Sequence, residues 1–247
     1  MPFTFSHPAI VLPLQRLGSR VSLTGLVIGS MAPDFEKLLK MGPGNTYSHT
    51  IVGVFWFSLP VSILLALLFH LVVRNALIDS LPHILRSRFY QFKSFDWVAH
   101  FNKHYKTIVV SVLIGAFSHL LWDAFTHKHS FVADMVPMLK FKYRIGIMWM
   151  PVYLLLQLIS SLGGLLYIMY EVYRLPKFPA VPAPAFSPWL YWGIVVLVAS
   201  VVFGIRYWIE ISHVMEFIFS VLAAFLVGLI LAPLLIPGKK AFAFRRP

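Results

Sequence analysis

Five long apolar runs set the terms for this chain: His49–Val73, Thr107–Phe125, Met148–Tyr173, Trp189–Ile205 and Phe217–Ile236. An α-helix needs about 20 apolar residues to cross the hydrocarbon core of a bilayer. Inside that core every backbone N–H and C=O must be satisfied within the protein, which favours helices. Only 12% of the residues are charged and the mean hydropathy is +0.78, against about 25% charged in ordinary soluble domains. The expected fold is all-α: a polytopic integral membrane helical bundle. It has about five transmembrane helices plus an N-terminal buried helical hairpin.

The hairpin is inferred from two shorter apolar runs, Pro8–Leu17 and Leu23–Met31, with Arg16, Gly18, Ser19 and Arg20 between them. Neither run is long enough to span. Irregular backbone at membrane depth is tolerated only inside protein or beside water, so the hairpin is expected to pack against the other helices. MPFTFSHPAIVLPL has no early basic region and no small-residue cleavage site, so it does not read as a cleaved signal peptide. Pro60 is expected to kink the first span. Residues 74–106 read as a long basic connector, and 175–188 (LPKFPAVPAPAFSP) as an extended proline-rich linker. A front module, 1–147, would then be followed by a rear three-helix membrane module, 148–247. No internal repeat is visible.

The net charge of +12 raises the question of nucleic acid, but the basic residues cluster between the apolar runs and at the C-terminus. That is the positive-inside pattern of membrane proteins. With the C-terminus cytoplasmic, five spans place Arg16, Arg20, the connector, the linker, Lys239, Lys240, Arg245 and Arg246 inside. Lys128, Lys140, Lys142 and Arg144 fall on the opposite side. The expected partners are membrane lipid and, at the basic inner face, anionic headgroups; no nucleic acid is expected.

On this topology the unusual residues converge. His7, Asp34, His49, His119, Asp123 and His127 come from four places in the chain and reach one level of the outer face. Ionisable groups at bilayer depth are costly and tend to mark function. His119 and Asp123 are four residues apart, hence neighbours on a helix, and can share a cation. His127 lies about 12 Å further along the axis than His119, too far for the same ion. It is a candidate for proton transfer or a second ion. Glu36, two residues after Asp34, is a candidate base. The chain has no cysteine, so thiolate ligands are excluded. Imidazole with carboxylate suits Zn2+, with Mn2+ or Fe2+ as alternatives.

A second regular cluster, Asp96, His100 and His104, is surrounded by Lys93, Lys103 and Lys106. Neighbouring cations disfavour a dication there. An amphipathic helix resting on anionic lipid accounts for it. Glu171, Glu210, His213 and Glu216 edge the rear spans and read as interfacial.

MPFTFSHPAIVLPL, GSMAPDFE, SHT and SHLLWDAFTH together resemble an uncharacterised bacterial membrane-protein family that begins with an MPFTFSHPA-like stretch. The resemblance covers roughly residues 1–135. That family looks related to bacterial inner-membrane metal-dependent hydrolases. The order of candidates is also similar to the zinc-dependent phospholipase C and P1 nuclease superfamily. The resemblance puts His7, Asp34, His49, His119 and Asp123 in its ligand places, with Asp123 bridging two metals. Met1 is not adjacent to His7, and no His-x-x-x-Glu is present, so one or two ions is the most that carries over. The resemblance implies a metal-dependent hydrolase of the bacterial inner membrane. Its site would face outward and act on a phosphoester of a lipid or envelope substrate, with Asp123, Glu36 and His127 in catalytic roles. The alternative is a non-catalytic scaffold or cation-binding or transport protein built on the same His/Asp cluster.

Overall fold

The computed structural model describes residues 3–236. The basic residues Lys239, Lys240, Arg245 and Arg246, used above to orient the chain, lie outside the described residues. Five helices are long and apolar enough to cross a membrane: Ile51–Ser80, Trp97–Met135, Val152–Arg174, Pro188–Trp208 and Val214–Leu235. Among the described residues the only sheet is one antiparallel hairpin, Lys142–Ile145 with Met148–Pro151. The chain forms two compact units. One comprises Met1–Asp34, Thr46–Ile63 and His104–Tyr173; the other comprises Phe35–Asn45, Leu64–Lys103 and Arg174–Pro247.

In the first unit the N-terminal hairpin forms, and its second arm is the more buried, through Gly25, Leu26, Ile28, Gly29 and Ser30. Pro8–Val11 is a short α-helix, and Leu12–Arg20 continues as exposed 3-10 turns. Pro13 has no N–H to donate, so the α-helical ladder cannot simply run on. Gly18 takes φ +59 at the reversal, a backbone state glycine adopts cheaply. The second arm, Leu23–Met31, is capped by Ser22, whose hydroxyl accepts from the Gly25 N–H at 3.2 Å. It packs backbone to backbone against the second span. A Cβ on Gly29 would sit 2.3 Å from the Val112 carbonyl oxygen, and one on Gly115 would sit 2.4 Å from that of Leu26. Small residues permit this approach between membrane helices.

Several spans start or stop elsewhere than the apolar runs suggest. The first runs past Val73 to Ser80, because no proline or glycine intervenes between Val73 and Pro82; Leu81 before it is extended, as residues preceding proline tend to be. Its ladder widens to π-type turns at Val54–Ser58 and Phe69–Val73. The first of these lies directly before Pro60, whose missing N–H leaves a carbonyl one turn back to be accommodated. The second span begins at Trp97, with Asp96 capping it: the Ala99 N–H donates to Asp96 Oδ1 at 3.0 Å. The irregular part of the basic connector therefore shrinks to residues 81–96, itself carrying the helix His83–Phe89. The second span departs from helical geometry at His104 (φ −125°, ψ 24°), where the chain passes from one unit to the other. The third span begins at Val152 rather than Met148, because Gly146 (φ +60) turns Met148–Pro151 back onto Lys142–Ile145.

In the second unit Pro188–Trp208 and Val214–Leu235 pack closely. Gly228 lies against the Val195 carbonyl, and Tyr191, Val195, Ala232, Ile236 and Ala76 share a core. The proline-rich linker has no regular structure and is held to the connector. The Phe178 N–H donates to the Ser87 carbonyl at 2.7 Å, and Arg86 donates to the Pro182 carbonyl at 3.2 Å.

Candidate metal centre

The site is assembled within the first unit from three places. Asp34 ends a 3-10 turn, Ala32–Asp34, just after the buried hairpin arm. His49 lies in the turn before the first span. Thr50 caps that helix by accepting from the Gly53 N–H at 2.9 Å. A Cβ on Gly53 would sit 2.0 Å from the Tyr47 carbonyl oxygen, so glycine lets this turn fold down onto the helix start. His119 and Asp123 come from consecutive turns of the second span.

One ligand atom from each of Asp34, His49, His119 and Asp123 lies within 4.8 Å of the other three. His49 Nε2 is 3.5 Å from Asp34 Oδ1 and 3.3 Å from Asp123 Oδ2. His119 Nε2 is 3.6 Å and 3.4 Å from the same two oxygens, and 3.2 Å from His49 Nε2. A tetrahedral ion with bonds of about 2.0–2.1 Å separates its ligand atoms by about 3.3–3.4 Å. The five measured edges bracket that value. The donor set and its spacing fit a zinc-like ion.

Hydrogen bonds outside the cluster aim the ligands. His119 Nδ1 lies 2.7 Å from the Ser30 carbonyl oxygen. A carbonyl only accepts, so Nδ1 carries the proton and donates, and Nε2 presents its lone pair to the site. Thr4 Oγ1 donates to Asp34 Oδ2 at 2.7 Å, leaving Oδ1 toward the histidines. Ser48 Oγ is 3.0 Å from His49 Nδ1. Such outer partners fix ring orientation and tautomer in metal sites. His119 and Asp34 are wholly buried and Asp123 nearly so. Neither carboxylate oxygen of Asp123 has a hydrogen-bond partner, an expensive state for a buried anion. A divalent cation between two carboxylates and two imidazoles resolves that cost.

His7 lies against this group but outside the four. Its ring stacks on His119 with centroids 3.8 Å apart, and Trp122 meets its edge at 5.4 Å. His7 Nε2 is 3.6 Å from Asp123 Oδ1. Burial pushes its imidazole down to about 3, so it is neutral near pH 7, and neither ring nitrogen is hydrogen-bonded. His127 follows the last helical residue, Thr126. Its Nδ1 donates to the Asp123 main-chain oxygen at 2.9 Å and lies 3.7 Å from Asp123 Oδ1. Glu36 is buried at the start of the helix Phe35–Lys40 and forms an ion pair with Lys40.

Among the described residues this is the one group of three or more His, Asp and Glu side chains placed to hold an ion. In the rival cluster Asp96 is taken up as a helix cap, and His100 lies beside Phe95 and Trp97.

Three positioning residues escape a reading by residue type. Ser30 acts through its carbonyl and Ser48 is one of many serines. Thr4 shows its role only when residues 4 and 34 meet. Thr4→Val is expected to leave the fold intact and weaken metal binding about 10- to 100-fold, the usual cost of an outer partner. Competition with a chelator of known affinity measures this.

No curated protein and no solved structure matches the chain. A family model described as "Domain of unknown function (DUF4184)" matches residues 1–236, and the chain belongs to that family.

Proposed function

We propose that the protein is a membrane-embedded, metal-dependent hydrolase acting on a phosphoester of a lipid or envelope substrate. The observation that carries this reading is the convergence of Asp34, His49, His119 and Asp123 at tetrahedral spacing inside a membrane-spanning unit. An ion held there would activate a water and polarise a phosphoryl oxygen by taking them as ligands beyond the four protein groups, or in place of one of them. Zn2+ suits the donors best, with Mn2+ or Fe2+ next. Asp123 anchors the site, presenting Oδ2 to His49 and His119 and Oδ1 to His7. That division supports a bridging role if a second ion binds beside His7. His127 is the proton carrier: its Nδ1 is anchored on the helix end, 3.7 Å from Asp123 Oδ1, and its side chain is about one-third exposed, so the ring meets both the site and its surroundings. SHT and SHLLWDAFTH resemble a membrane-protein family that looks related to inner-membrane metal-dependent hydrolases, which supports the same class. The distribution of Lys and Arg supports a bacterial inner membrane with the site facing outward.

Metal analysis of the detergent-purified protein tests the reading. About one equivalent or more of a divalent metal is expected in the wild type and in His100→Ala, and little in His119→Ala. The metal-loaded protein is expected to cleave a generic phosphodiester or a phospholipid. A folded wild type that takes up no metal overturns the proposal. Metal binding without turnover of either substrate points instead to a scaffold or cation-binding role.

A further inference from the structure

The Lys142–Pro151 hairpin has an unusual surface. Its register pairs Lys142 with Pro151, Tyr143 with Met150, Arg144 with Trp149, and Ile145 with Met148. Side chains alternate along a strand. One face therefore carries Tyr143, Ile145, Met148 and Met150, and the other carries Lys142, Arg144, Trp149 and Pro151. Little covers either face: Trp149 is 65% exposed and Ile147, at the turn, 94%. A lone two-stranded hairpin is marginal in water, and a contiguous apolar patch on it marks an interaction surface.

Chain continuity identifies what covers it. Pro151 leads directly into the membrane-crossing helix Val152–Arg174. The hairpin follows the end of the second span, the end that carries His119 and Asp123. It therefore lies at the bilayer boundary on the metal-cluster end of its unit. Trp and Tyr favour that depth. Lys140 is paired with Asp134 at 2.5 Å, whereas Lys142 and Arg144 share a face with Trp149. Arg144 Nε donates to the Gly146 carbonyl at 3.1 Å, holding the guanidinium at the turn. We infer that this hairpin is an interfacial docking element that lies in the headgroup layer beside the metal cluster and binds anionic phospholipid. It also gives a role to the basic residues that the positive-inside pattern leaves on this side. The inference stands whether or not the cluster is catalytic.

The chain has no cysteine, so Ile147→Cys gives a single spin-label site in the full-length protein. Ile159→Cys, on the exposed face of the third span, reports correct insertion. In nanodiscs the label at 147 is expected to be accessible to oxygen and shielded from a water-soluble nickel chelate. It is expected to sit deeper when phosphatidylglycerol is added to phosphatidylcholine. In Ile147→Cys carrying Lys142→Gln or Arg144→Gln, the preference for phosphatidylglycerol, read from quenching by labelled lipid, is expected to fall about fivefold per residue. A label at 147 in bulk water while that at 159 is in hydrocarbon overturns the inference. So does a phosphatidylglycerol preference that survives both neutralisations.

Discussion

Asp123→Asn is expected to abolish stoichiometric metal binding while the protein remains folded. Asp123 Oδ2 lies within 3.4 Å of two ligand nitrogens, and its carboxylate is buried. Removal of its charge costs more than the roughly 10- to 100-fold lost with an outer partner. Stability separates the cases. At metal concentrations about 1,000 times the dissociation constant, binding stabilises the native state by about 4 kcal/mol, a melting shift on the order of 10 °C. The wild type should lose that increment when a chelator is added, and Asp123→Asn should show no chelator effect. An equal chelator-induced shift in both proteins would place the metal elsewhere. Parallel thermal scans with and without chelator make the comparison.

Gly29→Ala and Gly115→Ala should disable the same site without touching a ligand. The added methyl groups would lie 2.3 Å and 2.4 Å from main-chain oxygens of the facing helix. Backbone cannot swing aside as a side chain can, so the helices must separate by roughly 1 Å. Overpacking of this kind costs about 1–3 kcal/mol. The functional loss should exceed what stability alone explains. Separation pulls the Ser30 carbonyl away from His119 Nδ1 and releases the tautomer that aims Nε2 at the ion. Gly163→Ala and Gly193→Ala are the controls: nothing lies within 4 Å of their added carbons, and alanine is the better helix former by about 0.5–1 kcal/mol. Metal titrations of the four variants, with melting curves alongside, distinguish loss of aim from loss of fold.

The spans and the ligand residues were legible in the sequence for different reasons. Apolar length reports the bilayer directly, so all five runs became helices. Their ends did not follow from hydropathy. Ser80, Trp97 and Val152 mark where Pro82, the Asp96 cap and the Gly146 turn act, and helices carry polar residues past the hydrocarbon without stopping. His119 and Asp123 announced themselves by i,i+4 spacing on an apolar helix, and Asp34 and His49 by the cost of placing them at that depth. The same spacing in Asp96, His100 and His104 was equally regular, because spacing cannot register that a carboxylate is already capping a helix. Thr4 and the Ser30 carbonyl were invisible: one is a common residue type, and the other is not a side chain.

The sequence by itself determined that the chain crosses a membrane as helices and that any transition-metal site must be built from imidazole and carboxylate. Both follow from composition: apolar length against bilayer thickness, and the absence of thiols. Only the tertiary structure decided which acids and histidines meet, that four of them stand at ion-binding distances, and that His7 and His127 flank the group. Those outcomes depend on close approach at Gly29 and Gly115, where a missing Cβ lets segments 83 to 89 residues apart in the chain come into contact, a distance no local pattern encodes.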